Sequence, residues 1–270
     1  IQAAVAAGYT PATESWAAAS GRNPHDDLLA LQSPDGSFSG NALGTAHAIA
    51  GLAEAPLPIF GRTQRAARAL TWMREQQGSN GAWTFFGFSD PGATCDAALA
   101  FAAAGYDPAT VENDGLSAMD YLSTTAATFA AKGADSAGKL ALAVEAAGGD
   151  AHAFGGVDIV GVLNGWYSPT VGAFGDPRNT YHQAFAILGL AAAGEAVPVS
   201  ATQTLIGLQQ PNGGWSYNLQ YLWVTPDNTG LALQALSAAG VPPTHTAVVS
   251  GVAYLRATQG EDGGWGDPNT

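Results

Sequence analysis

Cysteine, lysine and long apolar runs are nearly absent from this 270-residue chain. The single cysteine, Cys95, excludes a disulfide framework and a thiolate-built zinc site. Only 11% of residues are charged, and 9 Lys+Arg stand against 22 Asp+Glu, for a formal net charge of -13. Lys132 and Lys139 are the two lysines. So few cations make a surface that repels nucleic acid and anionic lipid. Gly, Pro or a polar residue interrupts every apolar stretch, so no membrane-inserting span is expected. What is abundant is core material: 47% of the residues are hydrophobic, enough for a large interior and too much for disorder. Ile1 stands where an initiator Met would, and the chain stops at Asp267-Pro268-Asn269-Thr270 just where another helix is due. Both read as a domain cut from a longer chain with further domains, whose signals would lie outside it.

The chain repeats itself. Ala-rich segments close on turns at residues 8, 55, 105, 148, 194 and 240, a period of about 46. A second marker lies in antiphase: a helix ending in Gln, then a Gly-x-aromatic turn. It occurs as Gln32 with Gly36-Ser37-Phe38, Gln77 with Gly81-Ala82-Trp83, Gln209-Gln210 with Gly213-Gly214-Trp215, and Gln259 with Gly263-Gly264-Trp265. Leu163-Asn164 with Gly172-Ala173-Phe174 is a weaker copy, and the one due near Phe129 has lost its glycine. Each unit reads as two helices. The Ala-rich one opens on a cap such as Asn179-Thr180 or Asp227-Asn228-Thr229 and closes on glycine. Its near absence of charge predicts burial on every side, in an inner layer. The Gln-terminated helix is amphipathic, with Arg65, Arg68 and Arg74 around Leu70, Trp72 and Met73, and belongs outside. Six of each predict an all-α fold, an α6/α6 toroid spanning residues 1–270, with a shortened first inner helix and termini that meet. An open superhelix would need polar end caps, which residues 1–7 do not supply.

The Gln…Gly-x-Trp turns, the Ala-rich helices and the period together resemble the α/α-toroid superfamily of squalene and terpenoid cyclases and protein prenyltransferase β subunits. Cobalamin-carrier toroids and the complement thioester domain share that fold. The resemblance covers essentially the whole chain and implies the toroid; function is less constrained, because one fold hosts many sites. It also implies that Gln bonds exposed helix ends and that Trp83, Trp215 and Trp265 pack as staples. The family chemistries are incomplete here. Against the cyclase Asp-x-Asp-Asp-Thr, Thr225-Pro226-Asp227-Asn228-Thr229 keeps one carboxylate of three, and Asp227 reads as a helix cap. His25-Asp26-Asp27 opens an outer helix and is expected to face solvent. The magnesium motif Asp-Asp-x-x-Asp is absent. Against the prenyltransferase zinc ligands, Ala93 stands where Asp should precede Cys95, and His182 falls two repeats from Cys95, too far for one metal. Arg178 is the one candidate cation for a diphosphate at the mouth. Cys95-Asp96-Ala97-Ala98 replaces the thioester Cys-Gly-Glu-Gln, and Gly-x-Ser-x-Gly is absent. For a toroidal glycosidase, Asp96 and Asp227 are the inner-helix acids to consider.

Parallel inner helices gather their N-termini at one face, where unpaired N–H groups favour anionic or hydrogen-bonding ligands. The loops entering that face are rich in aromatics. They offer Trp83, Phe86, Phe88, Tyr167, Tyr181, His182, Tyr217, Tyr221, Trp223 and Asp227 as contacts for a small organic molecule or carbohydrate. In the competing reading the rings plug the central cavity. His47 is a weaker candidate than His182. Counting back nine from Gly105 and Gly148 sets Asp96 and Lys139 level on adjacent inner helices, which predicts an ion pair neutralising charge inside the ring. With every catalytic signature incomplete, the expected function is a non-catalytic module that binds a ligand or serves structure, extracellular or at the cell surface, close to the cobalamin carriers. No metal, cofactor or nucleic-acid partner is expected. The alternative is a divergent terpenoid cyclase or prenyltransferase-like enzyme using Asp227, His182 and Cys95. A deep, aromatic-lined chamber holding an acid favours the enzyme; a filled centre with a grooved rim favours the module.

Overall fold

The computed structural model describes residues 1–10, 16–53 and 60–265, with side chains except at 60–63, 221 and 222. Among these residues twelve α-helices alternate between two layers. The inner layer holds α1 (Gln2–Ala6), α3 (Ala42–Ala53), α5 (Pro91–Ala103), α7 (Ala134–Ala146), α9 (Thr180–Ala192) and α11 (Pro226–Ala238). The outer layer holds α2 (Pro24–Ala30), α4 (Phe60–Glu75), α6 (Ala118–Ala130), α8 (Ile159–Gly165), α10 (Val199–Gly207) and α12 (Thr246–Ala257). No helix among the described residues is long and apolar enough to cross a membrane.

The ring closes. From α3 to α11 each inner helix packs on the next, α11 packs on α1, and the remaining seam is closed where Gly51 of α3 lies against the side chain of Ile1, the residue before α1. Ser237 Oγ donates to Ala6 O at 2.7 Å across the α11–α1 seam, and Ser20 Oγ donates to Glu261 O across the outer one. The α1 helix has only five residues, as the repeat register anticipates. The expected meeting of the chain termini lies outside the described residues, since it depends on Thr270.

The Gln residues hold neighbouring repeats together. Nε2 of Gln32 donates to Gly36 O of its own turn (2.9 Å) and to Arg65 O of the next repeat (2.8 Å). Gln77 does the same with Gly81 O and Val111 O, Gln209 with Gly213 O and Ala247 O, and Gln259 with Gly263 O and Trp16 O. The last pair of bonds joins the sixth outer helix back to the first repeat. Gly81 shows why the turn needs glycine: its φ is +82°, and a Cβ there would overlap the Ser117 carbonyl oxygen. A second latch sits at the fourth residue of the inner helices. Thr45, Thr94 and Thr229 each accept the backbone N–H of the turn aromatic (Phe38, Trp83, Trp215) and donate to the carbonyl four residues back. Gln183 replaces Thr in α9 and bonds Phe174 N and O. The third repeat, which lacks the turn, has Ala137 at this position.

Three sequence expectations need correction here. Thr225, not Asp227, caps α11: its side chain accepts Asn228 N, and Asp227 lies inside the first turn. His25 is fully buried rather than solvent-facing, because Asn23 and Asp26 form the capping box of α2 and turn the next residue inward. The inner helices are not buried on every side, since each leaves one stripe partly open to the axis of the ring. The loops feeding the mouth also fold further than expected, into hairpins β1–β2 (Thr84–Phe85 with Phe88–Ser89), β5–β6 (Tyr167–Ser168 with Ala173–Phe174) and β7–β8 (Trp215–Asn218 with Tyr221–Thr225). A fourth hairpin, β3–β4 (Glu112–Asn113 with Leu116–Ser117), lies between α5 and α6 in sequence and packs against the turn that follows α4, where Asn113 Nδ2 donates to Gln77 O.

Candidate functional site

The open stripes enclose a central cavity of about 1240 Å³. Its lining steps down each inner helix at intervals of four, three and four residues, the spacing of one helical face. The top tier is Leu43, Gly92, Asp135, Tyr181 and Asp227; the second is His47, Asp96, Lys139, Phe185 and Leu231. The third is Ala50, Leu99, Leu142, Leu188 and Gln234, and Ala103 and Ala146 form the floor. With a rise of 1.5 Å per residue, successive tiers lie roughly 5–6 Å apart. The ionisable side chains of these tiers are therefore confined to the upper two, and Gln234 is the polar residue of the third. The centre stays open because the inward positions near the floor are alanines.

The second tier carries the ion pair that the register predicts. Lys139 Nζ lies 2.7 Å from Asp96 Oδ2, and His47 Nε2 lies 3.6 Å from Asp96 Oδ1. Burial by itself would raise the Asp96 carboxyl, but His47 and the Lys139 charge outweigh it and hold the group below the usual carboxylate range. Asp96 is thus an ionised, neutralised wall residue. Lys139 Nζ also sits 5.6 Å from the centroid of Phe185. The close approach of α7 and α9 sets this geometry: Gly138 and Gly189 pack so tightly that a Cβ on Gly138 would overlap Phe185 O.

One tier above, Asp227 faces the cavity beside Tyr181. Burial first, then the charges of Asp227 and Asp96 and the neighbouring Tyr217, push the Tyr181 phenol up. Five carboxylates line the cavity (Asp27, Asp90, Asp96, Asp135 and Asp227), against Lys139 as the one Lys or Arg. The field inside is negative, and the faces of Phe38, Phe85, Phe129, Tyr181, Phe185 and Trp265 add to its affinity for positive charge.

The structure brings together Asp227 and Tyr181 among the sequence candidates and disperses the rest. Trp83 is fully buried and donates Nε1–H to Met73 O at 2.9 Å, so it staples the turn instead of touching a ligand. Tyr167 packs on Phe174 with ring centroids 5.0 Å apart and shares a hydrogen bond with Ser200 Oγ. Phe86, Phe88 and Trp223 project from hairpins into solvent. Tyr217 reaches the site through its ring contact with Tyr181, at 5.0 Å. The Tyr221 side chain lies outside the described residues. His182 accepts Asp176 N–H at Nδ1 and turns Nε2 toward Asp135 Oδ1, 3.7 Å away. Cys95 points into the core between the layers, where burial pushes its thiol up. Neither His182 nor Cys95 lines the cavity, and they do not approach each other as a pair. Among the described residues no three His, Cys, Asp or Glu side chains converge as a metal site would require. Sequence reasoning did not name Asp135, Phe185 or the leucines of the third tier as site residues. Extending the nine-residue count from Asp96 and Lys139 to every inner helix, and then by one turn, would have found them.

No family model matches the chain. A squalene–hopene cyclase from Zymomonas mobilis is 32% identical over 102 residues, a stretch covering 36% of this chain and 15% of that relative. Among solved structures, the apo type II terpene cyclase MstE from Scytonema superposes with a TM-score of 0.65 at 16% identity, covering 98% of this chain and 81% of that one. A variant of MstE holding its substrate, geranylgeranyl dihydroxybenzoate, matches with a TM-score of 0.57 at 14% identity over the same shares. These neighbours correct the expected function. MstE, which matches over 98% of this chain, is a type II terpene cyclase whose variants have been seen with substrate and with product bound, and none of these matches supports a non-catalytic extracellular module. The chain has the α6/α6 toroid fold of the terpenoid cyclase and protein prenyltransferase superfamily, as its Gln…Gly-x-aromatic repeats imply.

Proposed function

We propose that the protein is an enzyme that protonates an isoprenoid inside the central cavity and guides the resulting carbocation to a cyclised isomer. The observation that carries this reading is the cavity itself: largely apolar below, and ringed above by carboxylates and aromatic side chains, with Lys139 as the single Lys or Arg among the described lining residues. An apolar chain is desolvated against Leu99, Leu142, Leu188 and Leu231, which supplies binding energy and excludes water from a reactive cation. Positive charge developing on carbon meets a preorganised negative field, so stabilisation grows toward the transition state. A diphosphate would meet the same field as repulsion, which argues against ionisation of a prenyl diphosphate.

Asp227 is the proton donor in this reading. It is the upper-tier acid that matches the surviving position of the cyclase motif, and it is not engaged by a cation as Asp96 is. Protonation moves one proton from its carboxyl to a terminal alkene carbon; ring closure follows, and loss of a proton from carbon restores neutrality. The test is incubation with a geranylgeranyl-substituted phenol or with squalene in D2O, read by mass spectrometry. A cyclised isomer carrying one deuterium, abolished in Asp227→Asn and retained in His182→Ala, is expected. Absence of any isomer from these polyenes, or an unlabelled product, would overturn the proposal.

A further inference from the structure

We infer that Lys139 is a specificity-determining residue: its ammonium donates a hydrogen bond to a neutral oxygen of the ligand, so that the cavity selects an oxygen-bearing prenyl chain over a hydrocarbon. This deepens the proposed function and rests on the same cavity.

The second tier is divided. His47, Asp96 and Lys139 on α3, α5 and α7 form a polar half-ring, whereas Phe185 and Leu231 on α9 and α11 complete it with carbon. A charge held in an apolar chamber costs free energy that specific partners offset, and a polar atom of the ligand is one such partner. Lys139 has three N–H donors. One goes to Asp96 Oδ2, the Phe185 ring centroid lies 5.6 Å from the ammonium, and the side chain lines the cavity with donor capacity beyond the Asp96 bond. The side chain retains 18% exposure and lines the cavity.

The ligand oxygen that this donor accommodates is neutral. A carboxylate or phosphate brought to Lys139 would stand beside Asp96 and beneath Asp135 and Asp227, three like charges within one or two tiers. A hydroxyl or carbonyl incurs no such repulsion. The carbon on its other side packs on Phe185 and Leu231, and the chain below descends past Leu142 and Leu188. The oxygen then sits about one helical turn below Asp227, which sets which alkene meets the acid.

Equilibrium binding to the whole chain tests this with three C20 probes: geranylgeraniol, geranylgeranoic acid and the corresponding hydrocarbon. The alcohol is expected to bind about tenfold more tightly than the hydrocarbon, the gain from a hydrogen bond to a charged donor, and more tightly than the acid at pH 7. Lys139→Met leaves Asp96 without its cation, so the paired variant Asp96→Asn/Lys139→Met keeps the tier neutral and guards against a folding defect. In the pair the alcohol and hydrocarbon should bind equally, with hydrocarbon affinity retained. A purely structural ion pair would alter stability and leave the preference intact. An alcohol-to-hydrocarbon ratio near one in the wild type, a ratio that survives in the pair, or no binding of any probe overturns the inference. A deuterated isomer formed without any alcohol preference would sink this inference alone. A preference without turnover of any polyene would sink the proposed chemistry alone.

Discussion

Replacing Gln259 by Met would remove the staple that joins the last repeat to the first while keeping side-chain length. Gln259 Nε2 makes two hydrogen bonds, to Gly263 O at 2.8 Å and Trp16 O at 3.0 Å, both partly buried. Each bond contributes about 1 kcal/mol net, and stranding a buried carbonyl adds about another 1 kcal/mol. The total is roughly 2–3 kcal/mol, and at a few degrees per kcal/mol for a chain of this size it lowers the melting temperature by about 5–10 °C. The internal control is Gln209→Met, which removes the equivalent bonds to Gly213 O and Ala247 O in mid-chain. In a closed ring no repeat is terminal, so the two variants should agree within about 1 kcal/mol. In an open array the end repeat frays and its staple counts for little. Urea titration of both proteins, with circular dichroism as the signal, decides the matter. A full cost for Gln209→Met and a negligible one for Gln259→Met would refute ring closure.

Other perturbations follow from the same structure. Gly138→Ala places a methyl on the Phe185 carbonyl and forces α7 from α9; a loss of about 1–3 kcal/mol is expected from overpacking, with displacement of Lys139, visible as a lower urea midpoint. Thr94→Val strands the Trp83 N–H, which Thr94 Oγ1 accepts at 3.0 Å, and should cost about 1–3 kcal/mol by the same assay. The Asp96 carboxyl is held below its unfolded value, so its contribution is complete above about pH 5 and is lost as pH falls through and below 4. Stability measured from pH 7 to pH 3 should fall along that limb, and Asp96→Asn should flatten it. Asp27 behaves oppositely: burial and then the Asp262 charge raise it, so at pH 7 its ionisation opposes folding, and Asp27→Asn should raise the melting temperature there.

The architecture was legible because the structural bonds repeat with the sequence. Gln32, Gln77, Gln209 and Gln259 recur at the period of the fold and make the same two bonds each time. The Asp96–Lys139 pair was legible for the same reason, since equal distance from a closing glycine means equal height on parallel helices. The centre of the ring was not, because an open cavity depends on the summed volume of six helices' inward side chains. Aromatic residues in the mouth loops drew the reading toward the rim, yet Phe86 and Phe88 of the β1–β2 hairpin are exposed to solvent and do not line the cavity. Asp227 was misread as a cap because the helix starts two residues earlier than its run of cap-forming residues suggests, with Thr225 accepting Asn228 N. Incomplete catalytic motifs argued for a binding module, whereas MstE from Scytonema, a toroid of similar shape, is a type II terpene cyclase.

The most direct test of the cavity as the reaction chamber is a crystal structure of the protein with geranylgeraniol bound. Ligand density along the ring axis is expected, with its carbon chain between Leu142 and Leu188 and its oxygen at Lys139 beneath Asp227. Density confined to the outer hairpins around Phe86 and Trp223, with the axis empty of ligand, would contradict it.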